Sequence, residues 1–255
     1  MRIEFFGHSY IGKKREFNED SFLCADFSGN HAGPPQPLYL FAVADGIGGH
    51  AAGEVASRLA IRTLNDNLAQ RLGQGGPGLD LKNILEDSFH QANRKIFREG
   101  AEAERLAGMG TTLVAALITA RLATVANVGD SRLYLVRGNT PVQISQDHSW
   151  AAEQVRRKLL SEKEVGRSPF RNLVTRSLGY GPEIEVDSFR IPLLDGDWLL
   201  LCTDGLYGPL PERALVKFFK KAGRPEDACR ALIKAADRKG SQDNITAVVV
   251  SVREA

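Results

Sequence analysis

Short apolar runs rich in β-branched residues recur along the chain, and Gly, Asn or Asp bounds them, a pattern that predicts β-strands. The predicted strands cover residues 21–25, 38–44, 112–119, 122–128, 132–136, 185–191, 198–202 and 245–252. Other segments repeat apolar residues at a period near 3.6, which predicts amphipathic helices. These helices cover about 51–72 and 81–98, and two more, each with a proline in the predicted first turn, cover about 211–221 and 225–239.

The order of these elements indicates the fold class. Strands come mostly in adjacent pairs with tight turns and helices come in pairs, which favours antiparallel sheets covered by helices over alternating βαβ winding. A glycine-rich stretch at 73–78 joins the first two helices, and the proline-containing stretch 29–37 is a predicted loop. We therefore predict one α+β domain over residues 1–255, with the polar segment at about 145–172 as an appended flap.

Composition and charge exclude several classes of protein. The 255 residues are 43% hydrophobic and 25% charged, as in an ordinary globular protein. The net charge of +2 gives no overall field that would argue for nucleic acid as a partner. Cys24, Cys202 and Cys229 lack metal-ligand spacing and are predicted to be reduced thiols. We find no apolar stretch of signal-peptide or membrane-span length, so we expect a cytoplasmic protein without a membrane partner.

Four short acidic motifs lie at the edges of predicted strands, which would hold their side chains rigidly. Two unit charges about 5 Å apart repel by roughly 3 kcal/mol at an effective dielectric constant near 20, so a carboxylate cluster must be neutralised. Oxygen ligands without His or Cys favour hard cations such as Mg²⁺, Mn²⁺ or Ca²⁺. The motifs are Asn18-Glu19-Asp20, Asp45-Gly46, Thr203-Asp204-Gly205 and Gln242-Asp243-Asn244.

Seven motifs, from near residue 8 to residue 252, resemble in their order those of the metal-dependent (type 2C, PPM) serine/threonine protein phosphatases of bacterial type. They begin at Gly12, Phe41, Gly110, Val128, Thr175, Leu201 and Gly240. One such motif would be weak support, whereas seven in sequence are strong. The resemblance implies a four-layer α-β-β-α sandwich of two antiparallel sheets flanked by helix pairs, with a dinuclear metal site at one end.

The resemblance also implies roles for the acidic residues. Asp45 would bridge two metal ions, the Gly46 carbonyl would ligate one of them, and Asp204 and Asp243 would ligate the other. Considered alone, Asp45 would be a helix-entry residue that complements the helix dipole. Asp204 and Asp243 would be turn formers at strand ends. Their joint occurrence with Asp45 favours the metal-binding interpretation.

Three further acidic residues have two interpretations each. Glu19 and Asp20 would form a solvated turn, whereas the resemblance places them beside the second metal, partly through water. Asp130 would simply form a hairpin turn, whereas the resemblance makes it a ligand of a more weakly held third metal shared with Asp204.

Fewer basic residues than acidic ones are candidates for the site. Arg15 lies in a basic turn and would ordinarily be exposed, whereas the resemblance makes it a phosphate clamp whose planar fork suits an oxyanion. Ile47 stands where eukaryotic relatives have a His proposed as the general acid. Whether His50, a metal-bound water or no group serves instead is open. His148 is interpreted as structural.

The implied activity is hydrolysis of phosphoserine and phosphothreonine in proteins by a metal-dependent phosphatase. Two Mn²⁺ or Mg²⁺ ions would activate a water that attacks phosphorus directly, with Arg15, Asp45 and Asp204 as the catalytic residues. We expect a monomeric signalling enzyme whose partners are phosphoproteins, including a serine/threonine kinase, recognised through the flap. The alternatives are a catalytically silent relative that binds phosphoproteins and an enzyme acting on a small phosphate ester.

Overall fold

The chain forms two antiparallel sheets, and the computed structural model describes residues 1–29, 37–48, 51–74 and 80–254. In chain order the strands are β1 (Arg2–Tyr10), β2 (Asp20–Asp26), β3 (Leu38–Ile47), β4 (Gly110–Thr111), β5 (Leu113–Thr119), β6 (Leu122–Val128), β7 (Arg132–Arg137), β8 (Thr140–Gln143), β9 (Asp187–Pro192), β10 (Trp198–Cys202) and β11 (Ile245–Arg253). One sheet has the order β1-β11-β10-β7-β8, and the other has the order β2-β3-β5-β6-β9, with β4 paired to β3.

Seven α-helices occur among the described residues, and two pairs of them pack on the outer faces of the two sheets. They are α1 (Ala51–Gln74), α2 (Leu81–Glu102), α3 (Trp150–Arg156), α4 (Glu162–Val165), α5 (Asp204–Tyr207), α6 (Val216–Lys221) and α7 (Pro225–Arg238), with 3₁₀ turns at Glu104–Leu106 and Glu212–Ala214. Asp80 caps α2 by accepting hydrogen bonds from the amides of Lys82 and Asn83. Pro225 occupies the first turn of α7, as predicted.

Alternate residues of the central strands belong to different layers of the core. In β3, Leu40 and Ala42 pack with α1 and α2, whereas Phe41 and Val43 pack between the sheets. The corresponding strand of the other sheet is β10, whose Leu200 packs against the residues of α6 and α7. Because both faces of these strands are buried, their sequences are continuous apolar runs rather than alternating ones. The predicted four-layer α-β-β-α sandwich is confirmed.

The predicted elements agree with the structure where the sequence is strongly apolar and differ elsewhere. The strands predicted at 122–128 and 198–202 coincide with β6 and β10, but β1 and β8 were not predicted. The strand predicted at 185–191 begins two residues later. The helix predicted at 211–221 is wrong in its first part, because i→i−3 hydrogen bonds form a 3₁₀ turn before α6 begins.

The segment predicted as a flap, 145–172, contains α3 and α4. Ser149 and Ser161 cap these helices, and the Trp150 ring contacts that of Phe170 at a centroid distance of 5.7 Å. The side chain of Phe170 is nevertheless exposed, as is that of Leu159. The division into one domain with a flap stays a prediction.

Three other predictions concern single features of the chain. Cys24, Cys202 and Cys229 are free thiols, as predicted. Among the described helices we find none with the length and apolarity needed to span a membrane. Most of the loop predicted at 29–37, most of the connection at 73–78 and His50 lie outside the described residues.

Candidate metal centre

The predicted acidic residues meet at one end of the sheets. Asp20, the first residue of β2, lies opposite Asp45 in the ladder with β3. Asp204 lies two residues after Cys202, the end of β10, and Asp243 precedes β11, the strand that pairs with β10. Asp130 lies in the turn between β6 and β7, and β7 is the other neighbour of β10. Residues far apart in sequence are thereby brought to one place.

Asp45 is the centre of this group. Burial raises its pKa well above the ordinary range, and the charges of Asp20, Asp204, Asp130 and Asp243 raise it further. Asp45 was predicted to end its strand, but β3 continues to Ile47 because residues 46 and 47 pair with β4. Its backbone is therefore fixed within a ladder rather than at a free strand end.

Asp20 is held by hydroxyl groups from the other sheet. Its Oδ2 accepts hydrogen bonds from Thr203 Oγ1 at 2.9 Å and Thr246 Oγ1 at 2.6 Å. Burial raises the pKa of Asp20 to about 7, although these two hydroxyls act in the opposite direction. The carboxyl is thus oriented toward β10 and β11 and joins the two sheets at the acidic end.

Asp204 and Asp130 form the second part of the cluster. Burial raises the pKa of Asp204 to about 6, with Asp243 as the next cause. Burial likewise raises the pKa of Asp130 to about 7, and the charges of Asp204 and Asp147 add to this. Among the described residues, the buried Oδ1 of Asp204 has no hydrogen-bond partner. A buried carboxylate oxygen in that position needs a cation or a proton.

Arg15 reaches into the acidic cluster from its loop. Its Nη2 donates to Asp243 Oδ2 at 2.6 Å, and its Nη1 lies 3.8 Å from Glu19 Oε2. The Arg15 side chain is 44% exposed, so it lies at the solvent edge of the cluster and is paired there with carboxylates. Asp243 and Glu19 are therefore arranged around the same positive group.

Gly46 has a packing requirement that the sequence did not reveal. A Cβ on this residue would overlap the carbonyl oxygen of Gly53 in α1 and would lie 2.7 Å from the carbonyl oxygen of Glu19. The Gly46 amide also donates to that Glu19 carbonyl at 3.2 Å. The close approach of α1 to β3 therefore requires glycine here, independently of any role of the Gly46 carbonyl toward an ion.

Asn244 is a structural residue of the site that the sequence interpretation missed. Its Nδ2 donates to the carbonyls of Ile11 at 2.8 Å and Phe17 at 3.0 Å, and its Oδ1 accepts from the amide of Glu19 at 2.9 Å. These three bonds fix the loop that carries Arg15. Its position directly after Asp243, at the start of a buried strand, was the only signal in the sequence.

His148 lies in a hydrogen-bonded loop, whereas Ile47 lies in a strand ladder. His148 Nδ1 accepts a hydrogen bond from the Gly129 amide, and its Nε2 lies 3.2 Å from Asp187 Oδ2, which is a structural position. Burial lowers the pKa of His148, with the charge of Arg176 as the next cause. Ile47 pairs with Gly110 in the β3–β4 ladder and carries no titratable group.

The donor set fits hard divalent cations by its chemistry. It consists of carboxylate and carbonyl oxygens, one buried carboxylate oxygen is unpartnered, and the carboxyls raise the pKa of one another. No group of three His, Cys, Asp or Glu side chains within the described ranges is arranged to hold an ion as it stands. Asp243 is turned toward Arg15 and Asp20 toward two threonines, so these carboxylates have other partners.

Comparison with known proteins agrees with this geometry. The chain matches the protein phosphatase 2C family over residues 6–245. It belongs to this family. It is 35% identical over 239 residues to the serine/threonine phosphatase stp of Listeria welshimeri, a match that covers 94% of this chain and 92% of that protein. The resemblance seen in the sequence is confirmed.

Solved structures agree on the fold of this phosphatase. The S. agalactiae serine/threonine phosphatase superposes with a TM-score of 0.87 at 30% identity, covering 99% of this chain and 100% of that one. The catalytic domain of PstP in complex with two manganese ions gives a TM-score of 0.83 at 32% identity, with 99% of each chain covered. The sandwich and its acidic end therefore belong to a protein phosphatase.

Proposed function

We propose that this chain hydrolyses phosphoserine and phosphothreonine in proteins with the help of two divalent cations, Mn²⁺ or Mg²⁺. The observation that carries this proposal is the convergence of Asp20, Asp130, Asp204 and Asp243 on Asp45, with no cationic side chain except Arg15 directly paired to any of these five carboxylates within the described residues. Relatives named serine/threonine phosphatases, one of them solved with two manganese ions, support the same activity.

The ions would be held by residues of both sheets. Asp45 would bridge them, the Gly46 carbonyl would ligate one, and Asp204 and Asp243 would ligate the other. Glu19 and Asp20 would lie beside the second ion, and Asp130 would share a weaker third ion with Asp204. When bound, such ions lower the pKa of a coordinated water and neutralise charge on the phosphoryl oxygens.

Arg15 would bind the phosphate of the substrate. In the structure its guanidinium is paired with a carboxylate oxygen of Asp243, which has the charge and hydrogen-bonding character of a phosphoryl oxygen. The planar fork of this guanidinium can bond two phosphoryl oxygens in the same way. Arg15 thereby orients the phosphate for in-line attack and stabilises its developing charge.

Three residues outside the proposed ligand set hold Asp20 and the Arg15 loop in place. Thr203 and Thr246 orient Asp20, and Asn244 fixes the Arg15 loop, so little rearrangement is required during the reaction. Ile47 cannot donate a proton to the leaving oxygen, so that proton comes from another source. A kinase as substrate, a monomeric state, signalling and a cytoplasmic location stay predictions.

The test is hydrolysis of a phosphothreonine peptide by enzyme stripped with chelator, before and after Mn²⁺ is added. We expect background rates without the ion, recovery with it, and loss of the recovered rate in Asp204→Asn. The matched control is Asp66→Asn, which makes the same change on an exposed face of α1. Turnover that persists in chelator would refute the metal mechanism.

Two further outcomes separate the alternatives. A phosphopeptide that binds but is never hydrolysed, even with Mn²⁺, would support a silent phosphoprotein-binding relative. A specificity constant, kcat/KM, that is larger for a small phosphate ester than for phosphopeptides would assign a metabolite substrate to the same site.

A further inference from the structure

We propose that Tyr207 is a positioning residue that sets Asp130 against Asp204 and thereby tunes the binding of the third, weaker cation. This inference rests on the proposed function, in which Asp130 and Asp204 share that ion. Tyr207 was not among the residues singled out in the sequence. Its role follows from one hydrogen bond and from the contacts that hold its ring.

Asp204 and Tyr207 are the two ends of α5. The helix is a single turn, closed by a hydrogen bond from the Gly208 amide to the Asp204 carbonyl at 2.8 Å. Residues three apart on a helix are neighbours on one side, so this turn presents a carboxylate and a phenol together. The Tyr207 hydroxyl donates to the Asp130 carbonyl at 3.0 Å. The turn that carries Asp130 is thereby attached to the helix that carries Asp204.

The ring of Tyr207 is held in this orientation by Arg132. The guanidinium carbon of Arg132 lies 3.7 Å from the centroid of the ring. Arg132 is itself fixed, since its Nε and Nη2 donate to Asp147 at 3.0 and 2.6 Å and its Nη1 donates to Tyr134 at 2.7 Å. A guanidinium held at both ends makes a rigid face for the ring.

Among the described residues, other bonds fix the neighbours of Asp130 but not its own carbonyl. The Gly129 amide donates to His148 Nδ1 at 3.0 Å, and the Gly129 carbonyl accepts from the His148 amide at 3.0 Å. Ser131 Oγ shares a hydrogen bond of 2.7 Å with Thr112 Oγ1. Tyr207 therefore supplies the contact that links the central residue of this turn to α5.

The test replaces Tyr207 with Phe, which keeps the ring on Arg132 and removes only the hydroxyl. The matched control is Tyr180→Phe, which makes the same change on a residue that is 89% exposed. Mn²⁺ binding is measured by calorimetry on stripped protein, with Asp130→Asn as the reference for loss of the ligand. We expect about five- to tenfold weaker binding of the weakest ion in Tyr207→Phe, the size of one hydrogen bond, with the tighter ions unchanged.

A second measurement does not depend on the ion or on activity. Amide hydrogen exchange of the metal-free protein should be faster over residues 127–132 in Tyr207→Phe than in the wild type or in Tyr180→Phe. Urea unfolding shows whether each variant is folded.

The outcomes distinguish the positioning role of Tyr207 from the proposed ligand role of Asp130. Wild-type Mn²⁺ binding and exchange in Tyr207→Phe, together with weakened binding in Asp130→Asn, would overturn the positioning role alone. Unchanged binding of every ion in Asp130→Asn would overturn the assignment of Asp130 within the proposed function, and the inference with it. Parallel weakening in both variants, with Tyr180→Phe unchanged, would support the inference.

Discussion

The acidic cluster has two halves that are held in different ways. Asp20 and Asp45 face each other across the β2–β3 ladder. Asp45 is further fixed because its amide donates to Thr112 Oγ1 and its carbonyl accepts from the Thr112 amide, each at 2.9 Å. Asp130 lies in a turn and Asp204 at the start of a one-turn helix. Strand pairing fixes the backbone of the first two residues, whereas the turn that carries Asp130 is attached to α5 by the hydroxyl of Tyr207.

The difference matters for how each half responds to substitution. A ladder distributes its support over many backbone bonds, so deleting one side-chain contact shifts a strand residue little. A turn residue depends on a few identifiable side chains, so one deletion can move its carboxylate. A displacement of about 1 Å at a reacting centre can cost a hundredfold in rate. The predictions below test this contrast from the largest expected effect to the smallest.

The largest effect is expected for Asp45→Asn, at the centre of the cluster. Loss of the charge proposed to bridge the two ions should lower kcat/KM for a phosphothreonine peptide on the order of a thousandfold, since ion-based charge stabilisation amounts to several kcal/mol. The metal-free variant should be more stable to urea than the metal-free wild type, because the cost of burying or protonating this carboxyl is removed. Asp66→Asn is the control for both measurements. Retained activity, or lower metal-free stability, would contradict the central position of Asp45.

The next effect is the dependence of stability on pH and metal. The folded state raises the pKa of Asp20 and Asp130 to about 7 and that of Asp204 to about 6, from 3.8. Between about pH 4 and 7 the folded state thus binds more protons than the unfolded state, so the free energy of unfolding of metal-free protein should fall as pH rises. With Mn²⁺ the trend should reverse, because the ion binds ionised carboxylates.

Urea unfolding at several pH values, with chelator and with Mn²⁺, measures this effect. A metal-free protein whose stability rises steadily over the same interval would show that the carboxyls are not crowded as the structure places them.

A smaller effect is expected for Asn244→Ala, which removes three hydrogen bonds to the Arg15 loop. At about 1 kcal/mol each, their loss should lower the free energy of unfolding by about 3 kcal/mol. Because the loop also carries Glu19, kcat/KM should fall about tenfold or more. Gln242→Ala is the control, since its exposed side chain donates to the nearby Gly240 carbonyl rather than to the Arg15 loop. Equal behaviour of the two variants in urea unfolding and turnover would remove Asn244 from the support of the site.

The smallest effect is expected for Thr112→Val, which changes a side-chain contact of the ladder half and, through Ser131, one contact of the turn that carries Asp130. The variant loses the hydroxyl that accepts from the Asp45 amide and bonds Ser131. Stability should fall by about 1 kcal/mol, while kcat/KM should fall only about twofold because the β3 backbone still holds Asp45. Steady-state kinetics with a phosphopeptide measures this difference. A loss as large as that of Asn244→Ala would show that the ladder does not protect Asp45.

The sequence was most informative where burial is complete. The strands β6 and β10 were predicted to the residue, because continuous apolar runs bounded by turn residues leave few alternatives. β1 was missed, since Glu4, Gly7, His8 and Ser9 interrupt its apolar pattern at an edge of the sheet. Its pairing with β11 is a long-range contact that no local pattern encodes. The helix predicted from Pro211 was likewise divided by hydrogen bonding that periodicity does not specify.

In the site, too, the sequence revealed residues by their type and missed roles that depend on long-range contacts. The acidic motifs were found from their own residue types, and the family match supports them as a set. The roles of Asn244 and Tyr207 were not found, because each acts through a contact to a loop more than seventy positions away. Gly46 was identified for its possible approach to an ion, whereas the structure shows that contact with Gly53 already requires glycine.

By itself, the sequence determined the layers of the sandwich, the family and the set of carboxylates, since hydrophobic pattern and residue type are local properties. The tertiary structure decided which carboxylates share a strand ladder, which are held by single side chains, and where Arg15 points. Those features arise from pairings between residues far apart in the chain, and their energies exist only once the two sheets have packed together.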